Sequence, residues 1–233
     1  MKYRTATIWE QGGRKENEDS ISLLNVKVGN KPMLIACIAD GIGSLDHSEI
    51  ASSMVTYAVK DAFEEIIRSK PDVTLKQIQK RIYRVLYTCH KDIRAKSMRL
   101  NIRMGTTCSV VCLVGNRGFF ISIGDSRVYI MRRHAKSSRL VSRDDTRRGA
   151  LNTCIGLGRY KRIRGKRFCL LRGDSVLICT DGFYKRQERD ILSRNAYESE
   201  GQPDDWLKSQ TEKVIKRGEK DNISAIVIRN EGR

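Results

Sequence analysis

Residues 106–131 read TTCSVVCLVGNRGFFISIGDSRVYIM. Three apolar runs, Thr106–Val114, Gly118–Ile123 and Arg127–Met131, are split by Gly115-Asn116-Arg117 and by Gly124-Asp125-Ser126. Links this short leave no room for a crossover helix, so each run is expected to pair antiparallel with the next. Upstream, Tyr3–Trp9, Ser20–Val28 and Met33–Ala39 also read as strands, the last two joined as a hairpin by Gly29-Asn30-Lys31-Pro32. Downstream, Phe168–Leu171, Val176–Cys179 and Ile223–Ile228 add strands, and Asp204–Arg217 reads as a helix.

Two helical stripes lie between these groups. Ile50/Ala51, Met54/Val55, Ala58/Val59, Ala62/Phe63 and Ile66/Ile67 recur every four residues, with Asp46 and Glu49 as an expected capping box. After Pro71, Thr74 and Gln77 form a second box ahead of Leu75, Ile78, Ile82, Val85/Leu86, Cys89 and Ile93. Strands outnumber helices, hairpins are frequent and βαβ alternation is absent. The expected class is α+β, with helices covering antiparallel sheets.

At 233 residues, with only 3 Pro and no linker-like segment, the chain reads as a single domain over 1–233. No apolar run approaches the ~18 residues of a membrane span, and Met1–Thr7 lacks a signal-peptide core, so a cytoplasmic protein is expected. Seven cysteines without a C-x-x-C pair fit a reduced compartment; Cys37, Cys108, Cys112, Cys169 and Cys179 lie in apolar stretches and read as small buried hydrophobes. The net charge of +18 is concentrated. Arg127–Arg167 holds fourteen Lys/Arg against Asp144 and Asp145, and Lys80–Arg103 holds eight against Asp92. Such patches suit a polyanionic or phosphorylated partner, nucleic acid or an acidic membrane surface among them, or are a solubilising Arg-rich surface with no partner.

Acids are scarce in the apolar stretches, which makes their positions informative. Ile35–Ala39 runs into Asp40-Gly41, and Val176–Thr180 runs into Asp181-Gly182. Asn17-Glu18-Asp19 opens one strand and Asp221-Asn222 opens another. Taken singly, each is an ordinary turn dipeptide. Taken together, carboxylates at one sheet edge repel one another unless a cation neutralises them, and an all-oxygen set without His or Cys selects Mg²⁺ or Mn²⁺. Carboxylates shared between two ions are a common way to build a hydrolytic site.

In these motifs and in their order, the chain resembles the metal-dependent protein phosphatases of the type 2C class, particularly the compact bacterial serine/threonine phosphatases. The resemblance runs through Arg14-Lys15-Glu16-Asn17-Glu18-Asp19, Ala39-Asp40-Gly41-Ile42-Gly43, Ser48-Glu49-Ile50-Ala51-Ser52, Met104-Gly105-Thr106-Thr107, Gly124-Asp125-Ser126-Arg127, Cys179-Thr180-Asp181-Gly182 and Asp221-Asn222-Ile223. It implies a four-layer α/β/β/α sandwich with a short flap over about residues 143–168. It also implies two Mn²⁺ or Mg²⁺ ions. Asp40 would bridge them, the Gly41 carbonyl would bind one, Asp181 and Asp221 would hold the other, and Glu18 and Asp19 would act through water or orient ligands. Arg14 would grip the substrate phosphate. A metal-bridging hydroxide would attack phosphoserine or phosphothreonine, with no phosphoenzyme. The implied partners are phosphorylated proteins and a bacterial-type Ser/Thr kinase that the enzyme opposes. The competing reading is a phosphatase-fold binding or sensing module whose basic surface holds an acidic protein or, ranked lower, nucleic acid.

Three departures stand out. Ile42 occupies the place where eukaryotic members often carry His. Leu100-Asn101-Ile102-Arg103 has no carboxylate, so a third metal is not implied. The flap reads Leu151-Asn152-Thr153-Cys154-Ile155-Gly156, with eight Lys/Arg within Arg147–Arg167 that would attract acidic substrates. Asp125 and Ser126 read as a tight hairpin turn, Arg127 as structural, and His47 as a solvent-exposed residue near a helix start.

Overall fold

The computed structural model describes residues 2–135, 137–148, 150–161, 165–193 and 202–232. In chain order it contains β1 (Lys2–Glu10), β2 (Asp19–Val28), β3 (Lys31–Asp40), α1 (Ser48–Ser69), α2 (Leu75–Leu100), β4 (Cys108–Val114), β5 (Arg117–Ile123) and β6 (Arg127–Met131). Three two-residue strands follow, β7 (Arg139–Leu140), β8 (Thr146–Arg147) and β9 (Ala150–Leu151). The remainder is β10 (Lys166–Cys169), β11 (Ser175–Cys179), α3 (Asp181–Tyr184), α4 (Glu188–Leu192), α5 (Pro203–Lys216) and β12 (Ile223–Gly232).

Two five-stranded antiparallel sheets carry the fold, ordered β10-β5-β4-β3-β2 and β1-β12-β11-β6-β7. Their side chains alternate between layers, as the two-residue strand period demands. From β3, Ile35 and Cys37 pack with Val55, Phe63, Ile78 and Ile82 of α1 and α2. Leu34, Ala36 and Ile38 point the other way, against Val176, Ile178, Ile226 and Ile228 of the facing sheet. The outer face of that second sheet, including Leu177, Ala225 and Val227, is covered by Trp206, Leu207 and Val214 of α5. The result is the α/β/β/α sandwich, with central strands that are apolar on both faces because both are buried.

The two short links in residues 106–131 behave differently. Gly115-Asn116 closes the β4–β5 hairpin as expected. Gly124-Asp125-Ser126 does not make a hairpin: β5 pairs with β4 and β10, whereas β6 pairs with β11 and β7 in the opposite sheet. Its three residues carry the chain from one sheet to the other, with Gly124 at φ 92. Short links enforce antiparallel pairing only between strands that stay in the same layer.

The Thr74–Gln77 capping box is present, Gln77 N–H donating to Thr74 Oγ1 at 3.3 Å and Thr74 N–H to Gln77 Oε1 at 3.0 Å. The Asp46–Glu49 box is not: α1 is preceded by His47 in the left-handed region (φ 51), and the Asp46 N–H donates instead to Arg103 O at 2.9 Å. Cys37, Cys108, Cys112 and Cys179 are buried free thiols, but Cys169 is exposed because β10 lies at its sheet's edge. Among the described residues no helix is long and apolar enough to cross a membrane.

Candidate metal and phosphate site

The site lies where the two sheets present strand ends to the same edge. Asp40 closes β3 and is register partner to Asp19, which opens β2. From the second sheet, β11 ends at Cys179, and Asp181 begins α3 two residues later; Asp221 immediately precedes the Asn222 that leads into β12. The hydrogen bonds that join these ends come from the motif residues. Thr180 Oγ1 donates to Asp19 Oδ2 at 3.0 Å, which ties the sheets together beneath the acids. Asn222 accepts from the Glu18 N–H at 3.0 Å, and its Nδ2 donates to the carbonyls of Gln11 (2.8 Å) and Glu16 (3.0 Å), so it fixes the whole 11–18 loop.

The Asp-Gly pairs have a steric reason. A Cβ on Gly41 would lie 2.7 Å from the Glu18 carbonyl oxygen, and one on Gly182 would lie 2.1 Å from the Asn222 carbonyl oxygen. Only glycine lets these chains approach so closely. The Met-Gly-Thr-Thr motif clamps the Asp40 backbone. The Asp40 N–H donates to Thr107 Oγ1 at 3.0 Å, and its carbonyl accepts from the Thr107 N–H and from Thr106 Oγ1, each at 2.8 Å. Thr107 Oγ1 also meets Ser126 Oγ at 2.6 Å, which couples the sheet-crossing turn to the same clamp.

The electrostatics of the cluster are those of confined like charges. Burial pushes the Asp19 carboxyl up to about 7, with Asp181 and Asp221 adding to the shift. Asp40 keeps some open surface at the cleft, but protein surrounds its carboxyl, and burial followed by Asp19, Asp181, Asp125 and Asp221 raises it well above the ordinary range. Glu18 is raised by burial first and then by Glu49. Asp125, which the sequence placed in a simple turn, belongs to this cluster: burial and then Asp181 push it up to about 6. Like Asp40 and Asp181, it stands within two residues of the end of an apolar strand.

Two protein cations partly offset the repulsion. Arg14 holds Asp221 with both prongs of its guanidinium, Nε to Oδ1 and Nη2 to Oδ2, each at 3.0 Å. Lys185 Nζ pairs with Asp181 one helical turn away; burial works to lower its pKa, but Asp181, then Asp125 and Asp221, outweigh it and leave the ammonium raised. Lys185 was not singled out from sequence. Among the described residues no three His, Cys, Asp or Glu side chains close into a compact cage. The donor set nonetheless fits a hard divalent ion: every side chain is an oxygen donor, and the raised carboxyls are the groups a cation would return to their charged form.

Arg127 serves the frame. It chelates Asp144 (2.8 and 3.1 Å), reaches Glu188 at 2.7 Å and Tyr129 OH at 3.1 Å, and lies 3.8 Å from the centre of the Tyr184 ring at the end of α3. His47 is exposed, with Nδ1 3.3 Å from Glu49 Oε1, as its place near a helix start suggested. Flap residues 162–164 and 149 lie outside the described residues; the rest of that stretch contains the small β8–β9 hairpin.

Comparison with known proteins agrees with this architecture. The chain is 29% identical over 124 residues to the serine/threonine phosphatase stp of Listeria monocytogenes serotype 4b, a match covering 52% of this chain and 46% of the relative, about half its length. The S. agalactiae serine/threonine phosphatase superposes with a TM-score of 0.85 at 20% identity, over 98% of this chain and 100% of that one. The catalytic domain of the phosphatase PstP, solved with two manganese ions, gives 0.77 at 22% identity over 97% of both chains. At those identities the superpositions speak for the fold alone. The family model for protein phosphatase 2C matches residues 13–225, and the chain therefore belongs to the protein phosphatase 2C family.

Proposed function

We propose that this chain is a metal-dependent protein serine/threonine phosphatase whose catalytic unit includes Arg14, Asp40, Asp181 and Asp221. The observation that supports the reading most directly is the meeting of Glu18, Asp19, Asp40, Asp181 and Asp221 from both sheets at one edge, with Arg14 at its rim. Asp40 and the Gly41 carbonyl, with Asp181 and Asp221, would hold two Mn²⁺ or Mg²⁺ ions, while Glu18 and Asp19 orient the set from behind. When bound, such a pair of ions supplies positive charge that acidifies water and neutralises developing charge on phosphoryl oxygens.

The chain's own groups do the rest. Arg14 is half-exposed and its planar fork matches two phosphoryl oxygens as well as it matches the Asp221 carboxylate, so it can pass from one to the other as substrate enters. Thr106 and Thr107 hold the Asp40 backbone in place, and Ser126 braces Thr107. The substrates would be phosphoproteins modified by a bacterial-type Ser/Thr kinase, and the basic flap, including exposed Lys161, favours acidic ones. The test is hydrolysis of para-nitrophenyl phosphate with Mn²⁺ against EDTA, in the wild type and in Asp40→Asn and Asp181→Asn. Turnover in chelator, or near-normal kcat in either variant, would overturn the assignment.

A further inference from the structure

Among the described residues, and outside the carboxylate cluster, two recesses of about 530 and about 600 Å³ adjoin one another. Both are lined by Arg94, Met98 and Gly158, so they form one trough between the C-terminal half of α2 and residues 156–160. We propose that this trough is a docking site for an acidic polypeptide segment carrying an apolar side chain, through which a protein substrate is held beside the phosphate site. The proposal rests on the phosphatase reading and adds the place on this chain where an acidic substrate is held.

The charge on the trough's walls is one-sided. Lys91, Arg94, Arg103 and Arg159 line it against Asp46 alone. Its lining is not simply polar. Met98 is 78% exposed and Tyr87 50%, two of the seven large apolar side chains that stand out from the described surface, and both line the trough. Scattered singly these would need no explanation, but clustered along one groove they mark a contact surface. A trough following α2 from Tyr87 to its cap Asn101 is about 20 Å long, at ~1.5 Å per helical residue, which accommodates about six residues of extended peptide at ~3.3 Å each.

The walls are preformed. The Gly156 N–H donates to His90 Nδ1 at 3.2 Å, and Arg94 donates to the Gly158 carbonyl. Burial and then Arg94 lower the His90 pKa, consistent with a neutral acceptor. Ile155 is bridged to Thr106 in both directions (2.8 and 3.0 Å), so the far wall is fixed to the Asp40 clamp. The trough's other end carries Asp46 and Arg103, hydrogen-bonded at 2.9 Å, in the loop whose Ile42 N–H donates to Gly105 O at 3.0 Å just past Asp40-Gly41. A docked segment is thus continuous with the cleft. Tyr87 and Tyr160 meet edge to face at 5.4 Å, and His90 lies 5.3 Å from Tyr160. Rings engaged this way offer edges and a cleft for an apolar side chain, not the open stacking faces that single-stranded nucleic acid uses.

The test uses the full chain and a fluorescein-labelled, unphosphorylated hexapeptide of Glu and Asp with one central Phe, followed by anisotropy. Wild type should bind saturably and more weakly as salt rises. Lys91→Glu with Arg159→Glu should weaken binding at least tenfold, and Met98→Ser several-fold, with para-nitrophenyl phosphate kinetics unchanged. A phosphothreonine peptide extended by the same acidic segment should show a raised KM and an unaltered kcat in the charge-reversed variant. Equal binding by wild type and variants overturns the docking site. So does a hexanucleotide that binds more tightly than the peptide and is lost in the same variants. Wild type that binds the peptide through these residues but never hydrolyses para-nitrophenyl phosphate with Mn²⁺ would overturn the phosphatase reading and leave the docking site standing.

Discussion

Replacing Asp19 by Asn isolates the electrostatic cost of the acidic cluster. Asp19 is 4% exposed, and its carboxyl is pushed from 3.8 to about 7 by burial and by Asp181 and Asp221. Because the folded-state value lies above the unfolded one, the folded chain binds the extra proton between pH ~4 and ~7. The associated stability is therefore complete below pH ~4 and is lost as pH rises through ~7. A shift of ~3 pH units corresponds to roughly 4 kcal/mol at ~1.4 kcal/mol per unit, and sharing the repulsion with Asp40, Asp181 and Asp221 brings the expected effect to about 2–4 kcal/mol. Asn keeps the shape and can still accept the Thr180 hydroxyl, 3.0 Å away, but carries no charge. At ~2–4 °C per kcal/mol for a chain of this size, Asp19→Asn in EDTA at pH 8 should melt roughly 5–15 °C above wild type. At pH 4 the two should coincide within about 2 °C. Millimolar Mn²⁺ should raise the wild type at pH 8 and narrow the gap. Differential scanning calorimetry at both pH values decides the matter. A variant no more stable than wild type at pH 8, or equally stabilised at both pH values, would refute the charge argument.

Other consequences follow from the same contacts. Arg127→Met strands Asp144 and removes the Tyr184 contact; with the arginine side chain only 13% exposed, the loss should be about 3 kcal/mol, and a melting point lowered by less than 2 °C would count against it. Lys185→Gln removes the ammonium paired with Asp181, so Mn²⁺ should bind several-fold more tightly by titration calorimetry; weaker binding would show that Lys185 supports the site and does not compete for it. Arg14→Ala should raise KM for phosphothreonine peptides while Mn²⁺ still binds. A loss of about 1.5–3 kcal/mol in kcat/KM is expected, and an unchanged value would mean the guanidinium stays on Asp221.

The layers were legible in the sequence because strand period and helical stripes are local signals. Leu34, Ala36 and Ile38 on one face of β3, with Ile35 and Cys37 on the other, follow from alternation alone. The acids at Asp40, Asp181 and Asp221 were legible for a similar reason, standing at strand ends beside Gly or Asn. What escaped depends on how the sheets stack. Nothing local distinguishes Gly115-Asn116, which turns a hairpin, from Gly124-Asp125-Ser126, which changes layers, so in the sequence Asp125 reads as a turn residue. Lys185 escaped because its meaning lies in the i,i+4 spacing of a four-residue helix that has too little sequence to announce itself. The Asp46–Glu49 cap failed because Arg103, distant in sequence, takes the Asp46 N–H and His47 turns left-handed.

If the acids gathered by the two sheets make this chain a metal-dependent phosphatase, its turnover must follow the metal. Release of phosphate from a phosphothreonine peptide, measured with Mn²⁺, then with EDTA in excess, then with Mn²⁺ restored, tests it most directly. The account predicts turnover in the first state, none in the second and recovery in the third, with Asp181→Asn inactive throughout. Phosphate release that continues in chelator, or its absence in every state from folded protein, would contradict it.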